Sequence, residues 1–417
     1  MADLNGEKTT KGKQGANLLA GGDSISGLII ETPEASGLLH SVVKEIYNPK
    51  DAEALGIDTA FDTANDIVAY RHITEFYRMA DNGTKLFIML VPQDTGLVNI
   101  FADSDTAPSR KLAIKAKGEI RQLAAAVNPT SAGVILNGLT TDCYNGIPLA
   151  QGFGLWAYEK HMPQQVLLEG REYSGPAASV ANLRDIPDLS ATKVSVCIGQ
   201  DWNYAESRTE ALNKKFADVG TLLGTVAKSK VNQNAGEHES FDLTDATKDI
   251  WMEPALSNHV LNDDQESDLQ TLEDKGYIFG LEYVGMAGTR WNNDHVCAPI
   301  IIDAEGNMNE HTISLGRTVD KAVRLLRTAY LPKVKTNQPV DTETGLLPSA
   351  VVTYFDGIGN TVLGDMQNRE EISKGVANTD PNSDLLIEKV LKIDYRIQPR
   401  GTIGFIDGTI NIKKSIN

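Results

Sequence analysis

A chain of 417 residues with 41% hydrophobic and 23% charged residues has the balance of a folded protein, and is long enough for more than one core. A formal net charge of −17 excludes a general nucleic-acid binder and a protein held on an anionic membrane surface. Three scattered cysteines, Cys143, Cys197 and Cys297, form no CxxC pair and point to buried, reduced thiols.

The opening MADLNGEKTTKGKQG has no apolar run and does not read as a signal peptide. No stretch approaches the roughly 18 apolar residues of a membrane helix. The expectation is a soluble protein made in the cytoplasm, with no direct membrane insertion. Residues 1–24, rich in Gly, Lys, Asn and Ser, read as an extended arm.

SGLIIET (26–32) and SVVKEIYN (41–48) read as strands. Asn48-Pro49 opens a helix through Ala54, with Asp51 and Glu53 in its first turn. A longer helix is predicted over 62–78, where Ile67, Tyr70, Ile73, Thr74 and Tyr77 share one face. Then strands alternate with helices: KLFIML (85–90), a helix over 109–127, AGVILNG (132–138), a helix over 151–161, and QQVLLEG (164–170). A small-residue helix over 175–182, KVSVCIG (193–199) and a helix over 205–228 follow. Near-continuous apolar strands between helices predict an α/β layer around a mainly parallel sheet.

Beyond Ser229 the rhythm fades. Residues 231–249 read as loop, 251–261 as a short helix, 263–276 as an acidic helix and YIFGLEYVG (277–285) as strand. The junction is placed near 255–270, giving an α/β part over 25–260 and a smaller α+β part over 261–400. CAPIIID reads as strand, 315–334 as helix and 382–391 as helix. The end, GTIGFIDGTINIKKSIN (401–417), alternates polar and apolar residues and changes phase at Asp407-Gly408. Asp-Gly favours a tight hairpin turn. The other reading is a joint or bulge, with Thr409 to Lys413 as a free strand.

Catalytic motifs are missing. No GxGxxG follows a strand, and GxxxxGK[ST], GxSxG and HExxH are absent. Gly236-Glu237-His238-Glu239 reads as solvated loop. His295 and Cys297 lack further ligands, and Cys143 has no paired histidine in its segment. Trp202, after Asp201 at a strand end, reads as a packing anchor. An enzyme of this class would need a pocket at the strand ends, near Asp94, Asp142, Arg171 and Asp201. No cofactor or metal is expected.

The helix over Leu315–Leu331 is sharply two-sided. Leu315, Val319, Ala322, Val323, Leu325, Leu326, Ala329 and Tyr330 lie on one face; Arg317, Asp320, Lys321, Arg324 and Arg327 lie on the other. Four cations on one face of a chain of net −17 suit either a solvated surface or a surface for an acidic partner.

Three stretches resemble the contractile tail sheath proteins of bacteriophages and related injection machines. They are SGLIIE with NPKDAEALGI and DIVAYRHITEFYRMADNGTKLFIMLVP; KGYIFGLEYVGMAGTRWNNDHVCAP with ISLGRTVDKAVRLLRTAYLP; and DPNSDLLIEKVLKIDYRIQPRGTIGFIDGTINI. The middle region, about 100–250, matches the family least. The resemblance implies a non-enzymatic structural subunit that polymerises helically around an inner tube and contracts to drive it through an envelope. Arms at both ends would add strands to neighbouring copies, with Leu18, Leu19, Ile25, Ile403, Phe405, Thr409, Ile410 and Ile412 as arm residues. Arg317, Lys321, Arg324 and Arg327 would face the tube. Implied partners are other copies, the tube protein, and the baseplate and terminator proteins of a phage tail or injection particle. An α/β enzyme without a familiar motif, or another structural or shell protein, are the alternatives.

Overall fold

The computed structural model describes residues 22–412; Leu18, Leu19 and Lys413 lie outside them. The chain opens with β1 (Ser26–Glu31) and β2 (Val43–Ile46), then α1 (Pro49–Glu53), α2 (Thr59–Asn65), α3 (Tyr70–Ala80) and β3 (Leu86–Val91). Next come α4 (Gly96–Ile100), α5 (Pro108–Lys115), β4 (Gln122–Ala126), the short β5 (Ile135–Leu136) and β6 (Leu139–Thr140), and α6 (Thr141–Glu159). β7 (Gln165–Glu169), β8 (Val194–Cys197), β9 (Gly199–Asp201), α7 (Trp202–Glu206) and α8 (Val219–Lys228) follow. The rest comprises β10 (Pro254–Leu256), β11 (Val260–Leu261), α9 (Glu266–Asp274), β12 (Gly280–Tyr283), β13 (Met286–Trp291), α10 (Ile313–Tyr330), α11 (Ser349–Asn368), β14 (Ile372–Thr379) and β15 (Ile393–Pro399).

The main sheet has the order β2-β3-β1-β4-β7-β8, parallel throughout except for the antiparallel edge strand β2. Strands covered on both faces need apolar residues in both phases. Leu28 and Ile30 of β1 face one core, while Ile25 and Ile29 face the other. On the first side α3 packs on α8 at very short range. A Cβ on Gly220 would lie 2.4 Å from the His72 carbonyl oxygen, and one on Gly224 would lie 2.6 Å from that of Phe76. On the second side α4, α5 and α6 close the core.

Both cores extend further along the chain than the expected junction near 255–270. Leu269, Leu272, Tyr277, Phe279 and Cys297 belong to one, and Ile278, Trp291, Val296, Ala298 and Ile313 to the other. Separate clusters form beyond: Ala322, Leu326, Leu363, Met366 and Ile372, and then Leu347, Val351 and Phe355. There α11 packs against the β14–β15 ribbon.

Several expected elements differ, each for a local reason. The helix over 62–78 is two helices. Asp66 ends α2 in the left-handed conformation (φ 48°), and the Asp62 carboxylate turns back to accept the N–H groups of Ala69, Tyr70 and Arg71, capping α3. The helix over 109–127 stops at Lys117 and Gly118, both at positive φ. QLAAA beyond it is β4, because burial between β1 and β7 outweighs the helix preference of alanine. AGVILNG forms an exposed hairpin turning at Asn137 and Gly138, outside the main sheet.

Residues 175–182 are turns. The Lys275 ammonium donates to the carbonyls of Ala177, Ala178 and Val180, which a helix would have used internally. The long helix over 205–228 is α7, a 3₁₀ turn and α8. Residues 251–261 give β10 and β11, with β10 paired to β9. CAPIIID is not a strand; Ile302 makes one bridge to Met308. Residues 382–391 are turns rather than helix, with the Asp384 carboxylate accepting from Leu386 and Ile387 N–H groups. β14 was not anticipated at all.

Candidate functional site

The parallel strands run in the order β3-β1-β4-β7-β8, so the sheet reverses direction between β1 and β4. In such folds that point, outside the strand carboxyl ends, is the usual ligand crevice. Here it is filled by the chain itself. The Glu31 carboxylate, at the end of β1, accepts from the N–H groups of Gly96 and Asn128. That of Glu169, at the end of β7, accepts from Val127 and Ala217. Asp142 accepts from Leu97 and Val98 at the start of α4.

Burial pushes Glu31 and Glu169 up to about 7, against their hydrogen bonds. The other residues named for a strand-end pocket are also engaged. Asp94 accepts from the Thr130 N–H and hydroxyl, Arg171 donates to the Val127 and Leu212 carbonyls, and Asp201 pairs with Arg71 at 2.7 Å.

Cys143, Cys197 and Cys297 are buried, and burial raises each thiol pKa. Rather than facing Cys297, His295 accepts at Nδ1 from Arg184 and donates from Nε2 to Glu273. His238 lies against Tyr283, and Trp202 stacks on His259 with centroids 4.0 Å apart. Among the described residues no group of three or more His, Cys, Asp or Glu side chains is placed to hold a metal. No helix among them is long and apolar enough to cross a membrane.

The basic face of α10 does not form an outer surface, which corrects the expectation. Arg317 is buried and donates to the Ser229 hydroxyl and to the Ser229, Lys230 and Asp23 carbonyls. Lys321 bridges Asp23 and Glu371, and Arg324 reaches Asp23 at 3.0 Å. Asp320 is buried against Lys193 and Gln165. Only Arg327 of the four remains half-exposed without an ion pair among the described residues. Apolar Leu315 and Val319 of the opposite face are themselves only half-buried, so the polar side of the first turns is the better-covered one. Ile25 is also corrected: it is a buried core residue immediately before β1, not an arm residue.

The arrangement left without partners among the described residues is at the other end. β14 and β15 form a two-stranded antiparallel ribbon, and no further described strand pairs with either edge. A ribbon of this length with both edges open is a template for additional strands. Residues 401–412 follow directly and form no ladder. Ile403, Phe405, Ile406, Ile410 and Ile412 are exposed, Ile410 to 94%, and Thr409 is exposed with them. The Asp407-Gly408 hairpin therefore does not form within the described residues. Sequence reasoning located this tail from its alternation, but passed over β14, the strand beside which the ribbon is built.

Comparison with known proteins identifies the family and the fold. Residues 8–295 match the family described as DUF2586, N-terminal domain, and residues 311–417 match DUF2586, C-terminal domain. No curated protein is similar enough to match the chain. Among solved structures, a chain of the anti-feeding prophage baseplate superposes with a TM-score of 0.60 at 13% identity, covering 99% of this chain and 100% of that one. A chain of the anti-feeding prophage helical sheath in its contracted state gives 0.58 at 13% identity, with coverage of 99% and 100%. A chain of the PVC sheath complex, from an extracellular contractile injection system in its contracted state, gives 0.55 at 8% identity, covering 100% and 99%. The described residues thus have the contractile-sheath fold, and the chain belongs to the DUF2586 family.

Proposed function

We propose that the protein is the structural subunit of a contractile sheath, polymerising around an inner tube and contracting to drive it through a target envelope. The observation that carries this reading is the open β14–β15 ribbon followed by an exposed apolar tail. Apolar side chains at the end of a folded chain are a liability unless another surface covers them. Strand addition to an open edge satisfies backbone donors and acceptors, while alternate side chains supply the fit. Covering one large apolar side chain is worth roughly 1.5–3 kcal/mol. The five in this tail together match the ~4–15 kcal/mol cost of association.

A tail given head-to-tail from copy to copy makes an open contact, which propagates as a helix. In this reading residues 1–24 and 401–417 are arms, and the C-terminal ribbon is their acceptor. Partners are further copies, an inner tube protein, and baseplate and terminator proteins. Assembly takes place in the cytoplasm, within a phage tail or injection particle. The subunit has no catalytic role, and its buried carboxylates serve as internal caps.

Electron micrographs of the purified full-length protein test this. Hollow tubes or helical polymers are expected. A monodisperse monomer at all concentrations, alone and with tube protein, would overturn it.

A further inference from the structure

Asp23 lies at the root of the N-terminal segment, three residues before β1, and it is gripped by one face of α10. Its carboxylate takes Lys321 at Oδ2 (2.5 Å) and Arg324 at Oδ1 (3.0 Å), and its carbonyl oxygen takes Arg317 (3.2 Å). Lys321 also binds Glu371, the residue next to the start of β14. Arg121, buried beside this group, contributes a further cation, and its Nε has no hydrogen-bond partner among the described residues.

Cations therefore outnumber carboxylates here. Burial penalises the Asp23 carboxylate, yet the hydrogen bond from Lys321 and the charges of Lys321, Arg324 and Arg317 hold its pKa below the usual range. Burial, reinforced by Arg324, pulls Arg121 down to about 10, and burial with the repulsion of Arg324 does the same to Arg317. Without the Asp23 carboxylate, only Asp320 and Glu371 would oppose the charges of Arg121, Arg317, Lys321 and Arg324 in a poorly hydrated place.

We propose that Asp23 is the positioning anchor of the N-terminal segment: it fastens the root of that segment to α10 and, through Lys321 and Glu371, to the foot of the β14–β15 ribbon. The inference rests on the sheath reading. β1 is an interior strand of the main sheet, with β3 on one side and β4 on the other. A pull on residues 1–22 that reached β1 directly would shear that sheet. With Asp23 clamped, the pull passes to α10 and the ribbon, the part that carries the tail. Both ends of the chain are then mechanically joined at one place while the α/β cores are spared.

The test compares wild type, Asp23→Ala, Asp23→Asn and the charge swap Asp23→Lys with Arg324→Glu. Tube formation and amide hydrogen exchange are read for each. The single variants keep both cores and fold, exchange faster at residues 23–26 and in α10, and need a roughly tenfold higher concentration for half-maximal assembly. The swap regains part of that loss. If wild type and both single variants assemble alike with unchanged exchange, the anchor is refuted and the sheath reading stands. If wild type itself forms no tubes, the sheath reading fails and the anchor falls with it.

Discussion

The Lys193 ammonium and the Asp320 carboxylate meet at 2.7 Å, joining the approach to β8 to the middle of α10, with side chains 5% and 2% exposed. Lys193 also pairs with Glu310, and Gln165 donates to the second oxygen of Asp320. Burial opposes the charge on Lys193, but the two carboxylates outweigh it and raise its pKa. This cluster is why the polar side of α10 faces inward.

Breaking a buried pair from one side leaves an uncompensated charge, at a cost of about 3–5 kcal/mol. Lys193→Met strands two carboxylates, whereas Asp320→Asn leaves Lys193 its bond to Glu310. Urea unfolding is therefore expected to place Lys193→Met below Asp320→Asn in stability. The double variant Lys193→Met with Asp320→Asn should lose less than the sum of the two. Equal and small losses would contradict a buried role for the pair.

The α3–α8 contact depends on absent side chains. Gly220→Ala or Gly224→Ala would press a methyl group onto the backbone of α3, and the two helices must part. A loss of roughly 1–3 kcal/mol for each is expected from overpacking. Alanine is otherwise the better helix former, so an isolated helix would gain from the same change. Thermal unfolding of the two variants decides which effect wins.

Stability should fall as pH rises from about 4.5 to about 7. Burial raises Glu31 and Glu169 to about 7, and Asp62, Asp218 and Asp294 to about 6. A group whose pKa is raised on folding binds its proton more tightly in the native state. Its contribution is complete below the unfolded pKa, near 4, and is lost as pH rises through 6 to 7. Asp23, Glu75 and Glu273 have lowered values despite burial, so their contribution is lost instead under stronger acid. An unfolding midpoint highest near pH 5 is the expected outcome. Glu31→Gln with Glu169→Gln should flatten the slope between about pH 5 and 7, and an unaltered slope would remove these two groups as its cause.

The four cations of α10 should separate into two classes. Arg324→Glu places a carboxylate beside Asp23 and is expected to weaken the folded chain. Arg327→Glu alters a half-exposed side chain and should leave unfolding unchanged within about 0.5 kcal/mol. If α10 approaches a tube, Arg327→Glu alone reduces co-sedimentation with tube protein. Unfolding curves and co-sedimentation of the two variants check both halves.

The sequence carried the parallel strands well because continuous apolar runs such as LFIML allow little else. It failed where a distant side chain decided the outcome. Asp62 cannot be read as a cap for a helix seven residues away, and Lys275 cannot be read as the partner of carbonyls near residue 178. β4 was lost because QLAAA has helical composition and becomes a strand only when flanked by β1 and β7. Periodicity separates a charged and an apolar face on α10, but it cannot tell that Asp23 and Lys193 await the charged side. The tail was legible in its alternation and its apolar residues. Its exposure, and the open ribbon beside it, required the structure.

In the proposed sheath, residues after Asp407 link one copy to the next. Sedimentation and electron microscopy of a chain ending at Asp407, beside the full-length protein, test it most directly. The same circular dichroism and unfolding midpoint are expected for both, with tubes from the full chain and only monomer from the shortened one. Tubes of normal length from the chain ending at Asp407 would contradict it.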